Sequence, residues 1–249
     1  MIAGNNPGHA ARAILCYQRQ NWEQKELIVI NSGSQDFSPL LEDIPSDELR
    51  YIHHPEDDRR KYGSLKNMGL ENASGKYVIH WNESDWHHPD RIRYQASVLG
   101  NGTGICWLRG SLLHIDHPEL VHHPYIDLPK AGYTGSLMHR NEPGKRYPEK
   151  HRSPDRAFLS SWDFSEVRQM DTDLSWLIIR CLPGGNRERR RFLAGLRVNS
   201  KDLAWLAWLK LRGRDRLSHP RFHLSPESRE SFQRYLEQSR KLGLITSVS

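Results

Sequence analysis

The sequence predicts an α/β fold in which a mostly parallel sheet presents polar groups where its strands end. Residues 77–81 are largely apolar, which is typical of a strand buried on both faces. Two acidic side chains, Glu83 and Asp85, follow this strand, and Pro89 is placed to begin a helix. Open α/β sheets position ligand groups with a strand, a polar turn and a helix in this order.

The elements before this stretch alternate between helix and strand. Residues 10–20 have the helical spacing of apolar side chains, and residues 26–30 predict a short strand that ends in a Gly-Ser turn. Residues 49–53 predict another strand, reached through the polar, turn-rich segment 39–48. This alternation supports the α/β prediction.

The elements after it continue the sheet. Residues 104–113 alternate in polarity and predict one or two strands, and residues 174–181 predict a further strand. Residues 114–129 are rich in His and Pro without a clear period, so we expect a loop and no helix there.

Two helices are predicted to close the chain. Residues 202–212 form the first, with Asp202 as its cap, and the second begins at Pro226. A chain of 249 residues is long enough for one large domain and a tail. We therefore predict a domain over residues 1–198 and a helical C-terminal tail over residues 199–249.

The composition indicates a folded protein with an anionic partner. Hydrophobic residues make up 37% and charged residues 27% of the chain, which is ordinary for a soluble globular protein. The net charge of +6 suits a nucleotide diphosphate, a nucleic acid or an acidic lipid surface. The three cysteines are too few and too scattered for a disulfide framework or a Cys-x-x-Cys metal site. We expect buried thiols and a cytoplasmic location.

Four motifs together carry a family resemblance. They are Asn31-Ser32-Gly33-Ser34 after a strand, Gly63 with Lys66-Asn67 and Gly69, the acidic turn with Trp86, Pro89, Arg91 and Gln95, and Gly135-Ser136-Leu137 with Arg140 and Tyr147-Pro148-Glu149. In this spacing they resemble the family-two glycosyltransferases of the GT-A fold, over roughly residues 1–195. The resemblance implies a nucleotide-diphospho-sugar transferase fold, related to the Rossmann sandwich.

The resemblance also implies an activity and its residues. Family members transfer a sugar with inversion from a nucleotide-sugar donor to a saccharide or other hydroxyl acceptor, using a divalent Mn or Mg ion. By position, Asp155 would be the catalytic base. The nucleotide-sugar-binding positions would be Asn5, Asn31, Ser32, Lys66, Asn67 and Asn82. The metal ligands would be Asp85 and Glu83.

Several positions depart from the family pattern. Asn82 and Ser84 replace the aspartates of Asp-x-Asp, Pro154 replaces a glutamate, and Pro183 replaces the histidine of His-Gly-x-Asn. The first residues, 1–7, match only the end of the family's first strand. We expect either that this strand continues upstream or that the sheet closes imperfectly.

These departures leave alternatives open. The chain is either a transferase with an altered metal site or an inactive relative that binds a sugar, a nucleotide or a partner protein. In the inactive case no cofactor is needed. A nucleic-acid-binding module is disfavoured because basic and aromatic residues do not interleave.

The first closing helix, residues 202–212, also has two interpretations. It is apolar nearly all round and is followed by Arg212, Arg214 and Arg216. It either packs on the domain or lies on an acidic membrane surface, which would place the protein peripherally at the inner face of the membrane.

Overall fold

The computed structural model describes residues 1–54, 62–100, 102–149 and 154–246. The strands are β1 (Ile2–Ala3), β2 (Leu27–Asn31), β3 (Leu49–His53), β4 (Tyr77–Ile79), β5 (Asp85–His87), β6 (Ile105–Leu108), β7 (Ser111–Ile115), β8 (Tyr125–Asp127), β9 (Tyr133–Arg140), β10 (Val167–Met170) and β11 (Ile178–Leu182). The α-helices are α1 (Pro7–Gln18), α2 (Tyr62–Glu71), α3 (Arg91–Leu99), α4 (Pro154–Leu159), α5 (Asn186–Ala194), α6 (Ser200–Leu211) and α7 (Pro226–Lys241).

The predicted α/β class is confirmed. The contacts divide the chain into two compact units, each built from two segments. Unit 1 contains Met1–Trp107 and Thr134–Met170, and unit 2 contains Leu108–Tyr133 and Asp171–Ser249. The domain boundary that we predict at residue 198 stays a prediction.

Unit 1 holds two groups of strands. In the first, β1, β2 and β3 run parallel, with Ile2 opposite Ile30 and Leu27 opposite Leu49. β1 has only two residues, and Ile2 also bridges to Asn82. In the second group the order is β10-β6-β9-β4, with β4 and β9 antiparallel. The β-branched run of β2 is almost fully buried, as a strand covered on both faces requires.

Helix α1 supports the acidic turn of unit 1. It begins after Asn6, whose side chain accepts a hydrogen bond from the His9 amide at 3.0 Å, and Pro7 occupies its first position. The indole of Trp81 donates to the Ala13 carbonyl at 2.9 Å, so the end of the β4 segment is fixed to the helix.

The core of unit 1 is aromatic. Tyr147 stacks on Phe158 with ring centroids 4.0 Å apart, and Trp162 meets Phe158 edge-on. Ile105 and Leu137 from two neighbouring strands complete this cluster. Offset and edge-on pairs of this kind stabilise a core beyond the area that they bury. The cluster fixes the segment around Tyr147 and the short helix α4.

Unit 2 is built on the strand order β11-β7-β8. β11 and β7 are parallel, and β7 and β8 are antiparallel. Tyr125 lies at the centre of its core and donates to the Phe192 carbonyl at 2.7 Å. Helix α6 is joined to this unit by an ion pair in which Arg221 donates to both carboxylate oxygens of Asp202.

Several local predictions need correction. The strand predicted over residues 77–81 covers only three residues, and α3 begins at Arg91 rather than Pro89, with Asp90 as its N-cap. Asn199 rather than Asp202 caps α6, and Asp202 completes a capping box as the third helical residue. The segment 114–129 contains β8 and, as predicted, no helix in its described residues.

Two glycines of α2 offer a direct test of close packing. A Cβ on Gly63 would lie 2.0 Å from the Pro148 carbonyl oxygen, whereas a Cβ on Gly69 would meet nothing within 4 Å. We expect Gly63→Ala to lower the free energy of unfolding by about 1–3 kcal/mol, because a backbone carbonyl cannot move aside cheaply. Gly69→Ala, the matched control in the same helix, should raise it by about 0.5–1 kcal/mol. Urea unfolding measures both, and equal effects would refute the close approach.

Candidate functional site

The acidic turn of residues 82–85 joins β4 to β5 and is hydrogen-bonded to helix α1. The Arg12 guanidinium donates to the Ser84 carbonyl at 2.6 Å, and Arg12 is itself buried. The Asp85 amide closes the turn by donating to the Asn82 carbonyl at 3.3 Å. The turn therefore has a fixed shape.

The two carboxylates of this turn have different environments. Asp85 is only 3% exposed and accepts a hydrogen bond from the Asn82 amide at 3.0 Å. Glu83 is half-buried and accepts from the Gly4 backbone N–H at 3.0 Å. Burial raises the pKa of Glu83, and the bond from Gly4 opposes that rise. Glu83, rather than Asp85, is the acid that faces open space.

That open space is a cavity of about 440 Å³, which we call the acidic pocket. It is lined by Ile2, Ala3, Gly4, Ser32, Tyr62, Leu65, Asn82, Glu83 and Ser84. Three predicted site residues, Ser32, Asn82 and Glu83, thus share one cavity, and Asp85 is outside it. A backbone N–H, hydroxyls, an amide and one carboxylate are suitable partners for a polar ligand.

A buried ion pair lies beside the acidic pocket. The Lys66 ammonium donates to the Asp155 carboxylate and also to His80 Nδ1 at 3.2 Å. The side chains of Lys66 and Asp155 are 8% and 17% exposed. Burial lowers the pKa of Lys66, and the charge and hydrogen bond of Asp155 oppose this effect. Lys66, a predicted nucleotide-sugar-binding residue, and Asp155, the predicted base, are therefore partners of each other.

Tyr62 connects this ion pair to the acidic turn. Its ring lies 5.1 Å from the Lys66 ammonium, and Tyr62 also lines the acidic pocket. Burial, followed by the charges of Asp155, Asp85 and Glu83, raises the pKa of Tyr62 to about 12. Through Tyr62, the paired Lys66 and Asp155 lie close to the acidic pocket that Glu83 lines.

His80 is held as a neutral imidazole. Because an ammonium can only donate, Nδ1 accepts from Lys66, which leaves the proton on Nε2 to be donated to the Tyr147 hydroxyl. Burial and the charge of Lys66 lower the pKa of His80 well below its ordinary value. His80 thus orients Lys66 without adding charge.

The remaining predicted binding residues shape the backbone around the site. Asn31 is fully buried and donates to the Gln35 carbonyl at 2.6 Å and the Tyr51 hydroxyl at 2.9 Å. Asn67 pairs with both backbone groups of Tyr147, at 2.9 and 2.8 Å.

Asn5 is exposed and accepts from the Ser34 amide at 2.8 Å. Ser32 donates to the Ala3 carbonyl at 3.2 Å. Contacts of these four side chains with a nucleotide sugar stay predictions.

A divalent cation at this site would need a bound diphosphate to supply further oxygen ligands. Within residues 1–54, 62–100, 102–149 and 154–246, no three His, Cys, Asp or Glu side chains form a metal-binding group. Small hard cations are commonly held by one or two carboxylates together with substrate phosphates. The acidic pocket supplies one carboxylate, Glu83, beside the Asn82 amide. These residues fit a cation that a diphosphate helps to hold.

The sequence did not reveal three residues that contact or support the predicted site residues. Tyr62, Arg12 and His80 are adjacent to, or support, the predicted site residues. Only His80 carried a signal, as a histidine within an otherwise apolar strand run. Arg12 and Tyr62 are placed by contacts distant in sequence, which spacing does not reveal.

Comparison with known proteins identifies relatives of the N-terminal part. Residues 1–111 match the sequence profile of glycosyl transferase family 2. An uncharacterized glycosyltransferase of Rickettsia bellii is 31% identical over 98 residues, which cover 38% of this chain and 14% of the relative. Another, from Rickettsia prowazekii, is 27% identical over 95 residues, covering 38% and 29%. The chain therefore spans less than a third of the length of these relatives.

One solved structure shares the fold over nearly the whole chain. A mannosyltransferase from Pyrobaculum calidifontis, determined with GDP-Man and Mn²⁺, superposes with a TM-score of 0.54 at 14% identity. The match covers 96% of this chain and 74% of that one. At this identity the likeness concerns the fold, which is GT-A.

The buried histidines of unit 1 predict acid sensitivity. The pKa values of His80 and His87 lie well below the ordinary value, and that of His139 is lowered to about 4, in each case chiefly by burial. The unfolded chain binds protons there that the folded chain does not, so stability is complete above about pH 6.5 and falls as the pH decreases.

Replacing one of these histidines should reduce that dependence. We expect His80→Gln to remove up to about 1.4 kcal/mol per pH unit from the slope of the unfolding free energy below about pH 6.5. His53→Gln, at an exposed histidine of the same unit, is the control. Urea titrations at several pH values give the slope. An unchanged slope in His80→Gln would show that this histidine is not neutral in the fold.

Proposed function

We propose, from the match of residues 1–111 to the profile of glycosyl transferase family 2, that the chain transfers a sugar, with inversion, from a nucleotide-sugar donor to an acceptor hydroxyl. The observation that carries the proposal is the contact of the Lys66–Asp155 pair with Tyr62, whose ring lies 5.1 Å from the Lys66 ammonium and which lines the acidic pocket. A diphosphate needs positive charge, and a hydroxyl needs a base to become an effective nucleophile. This site has one group for each requirement.

In the proposed mechanism the donor diphosphate occupies the acidic pocket. Glu83 and Asn82 would hold a divalent Mn or Mg ion together with the diphosphate. When bound there, the ion supplies positive charge for the leaving group. The Gly4 N–H and the Ser32 hydroxyl are further polar groups at the pocket.

Lys66 has two anionic partners available in this mechanism. Without a donor, its ammonium occupies an oxygen of Asp155, so that oxygen cannot accept a proton from a sugar hydroxyl. With a donor bound, the diphosphate would draw Lys66 away and leave Asp155 free. Donor binding would then precede activation of the acceptor hydroxyl.

An inactive relative is the second candidate. The observation that favours it is the burial of Asp85, which leaves a single carboxylate at the acidic pocket. Such a chain would bind a sugar or a nucleotide without turnover and would not depend on the base.

The proposed location is the cytoplasm. Cys16 and Cys106 are buried free thiols, and burial raises their pKa values to about 11 and about 12, which keeps them unreactive. None of the helices in the described ranges is long and apolar enough to cross a membrane.

Nucleotide binding separates a transferase from a bare scaffold. We expect UDP or GDP to raise the melting temperature of the chain more strongly with Mn²⁺ than without it, because ligands of the native state stabilise it. Glu83→Gln should abolish the Mn²⁺-dependent part, while Glu42→Gln, at an exposed carboxylate of the same unit, should leave it intact. Absence of binding by both nucleotides would reject the proposal. Equal binding in Glu83→Gln would reject the role of Glu83.

Donor turnover separates the active enzyme from the inactive relative. We expect the chain to release UDP or GDP from a panel of nucleotide sugars, with Asp155→Asn slowing transfer to an added acceptor by about 10²–10⁴-fold. Lys66→Met should weaken donor binding as well. Donor binding without turnover in the unaltered chain would establish the inactive alternative. Full transfer activity in Asp155→Asn would exclude Asp155 as the base.

A further inference from the structure

Helix α6 of unit 2 has an apolar face that the protein does not cover. Only Asp202 and Leu209 are buried along its 12 residues, with Leu206 half-buried between them. The exposed fractions are 52% for Leu203, 42% for Trp205, 45% for Trp208 and 86% for Leu211.

Three of the four exposed large apolar residues, Leu203, Trp208 and Leu211, lie together on one side of the helix, and Trp205 lies about 60° beyond Trp208. At 100° per residue, positions 203, 207, 211, 204 and 208 span roughly 140° of arc, and the packed positions 202, 206 and 209 lie opposite. The sequence places Leu, Ala, Leu, Ala and Trp at the five outward positions. Twelve residues extend about 18 Å. We call this side the α6 apolar face.

The helix is firmly attached in this orientation. Asn199 and Asp202 form a reciprocal capping box at its start. Arg221 donates to both oxygens of Asp202, at 3.0 and 2.5 Å, and the pair is buried. Because a buried ion pair fixes the inward side, the apolar face is a built feature of unit 2 rather than a frayed segment.

Basic residues lie within α6 and on both sides of it in the sequence. Lys201 and Lys210 lie on the helix itself, and Arg212, Arg214 and Arg216 follow it. Residues 187–216 contain ten Lys or Arg and three Asp or Glu, an excess of seven that exceeds the +6 of the whole chain. The basic character of this protein is thus concentrated around this one helix.

This combination identifies the surface that the helix fits. One tryptophan and two leucines on the α6 apolar face, with Trp205 and lysines along its rim, match the boundary between headgroups and acyl chains of an anionic bilayer. Trp205 and Trp208, in edge-on contact at 5.3 Å, have the amphipathic rings that favour this boundary. A second copy of the chain fits less well, because pairing two such faces would bring two cationic rims together.

We propose that α6 docks unit 2 on an anionic lipid surface, with the α6 apolar face inserted at the headgroup level and the arginines of residues 212–216 on lipid phosphates. This docking goes beyond the proposed transfer reaction and does not depend on it. A protein held there would meet hydroxyl acceptors presented at that surface.

The test uses the full chain and vesicles of defined composition. We expect sedimentation with phosphatidylglycerol-containing vesicles, a blue shift of tryptophan emission, and no binding to pure phosphatidylcholine. Trp208→Gln with Leu211→Gln should weaken binding at least tenfold. Phe164→Ser, at a 96% exposed aromatic residue of unit 1, is the matched control and should bind normally. All variants alter exposed side chains, and their circular dichroism and melting temperatures should match those of the unaltered chain.

The arginines are tested separately from the apolar face. Each Arg→Gln change at positions 212, 214 and 216 should weaken binding about fivefold at low salt, a factor equal to about 1 kcal/mol. Equal binding to both lipids, no binding to either, or normal binding by the α6 double variant would overturn the proposal. Dimerisation of the free chain that the double variant abolishes would instead assign the face to a second copy.

Discussion

The site of this protein depends on an ammonium group that is largely removed from water. Lys66 lies on α2 with its side chain only 8% exposed, and its positive charge requires an anionic partner there. Asp155 supplies that partner from α4, 89 residues away in the sequence. His80, at the end of the β4 segment, accepts a second hydrogen bond and stays neutral. One buried charge thereby joins three separate parts of unit 1.

The neighbouring contacts of α2 reinforce this arrangement. Asn67 binds both backbone groups of Tyr147, and Gly63 lets the Pro148 carbonyl approach closely. The Tyr147 hydroxyl in turn accepts a hydrogen bond from His80 Nε2–H, and its ring stacks on Phe158 of α4. Asn67 therefore has a structural role beside Lys66, a predicted functional residue.

The acidic turn shows how substitution changes a site without removing it. With Asn82 in place of an aspartate, the amide donates to Asp85, and that carboxylate is buried in the protein. Glu83 is then the acid that lines the acidic pocket. It occupies the variable middle position of the family's Asp-x-Asp motif. The remaining negative charge at the pocket is smaller, so a diphosphate meets less repulsion there.

Elements with local signals could be predicted from the amino-acid sequence. Apolar periodicity and turn residues located β2, β3 and α7 to within two residues and α1 to within three, and the family resemblance of the motifs indicated the GT-A fold. Tertiary structure alone decided the Lys66–Asp155 pair, the burial of Asp85 and the exposure of the α6 apolar face. These features arise from contacts between residues far apart in the chain. Whether a side chain is paired, buried or exposed depends on what packs against it, and spacing along one segment carries no record of that.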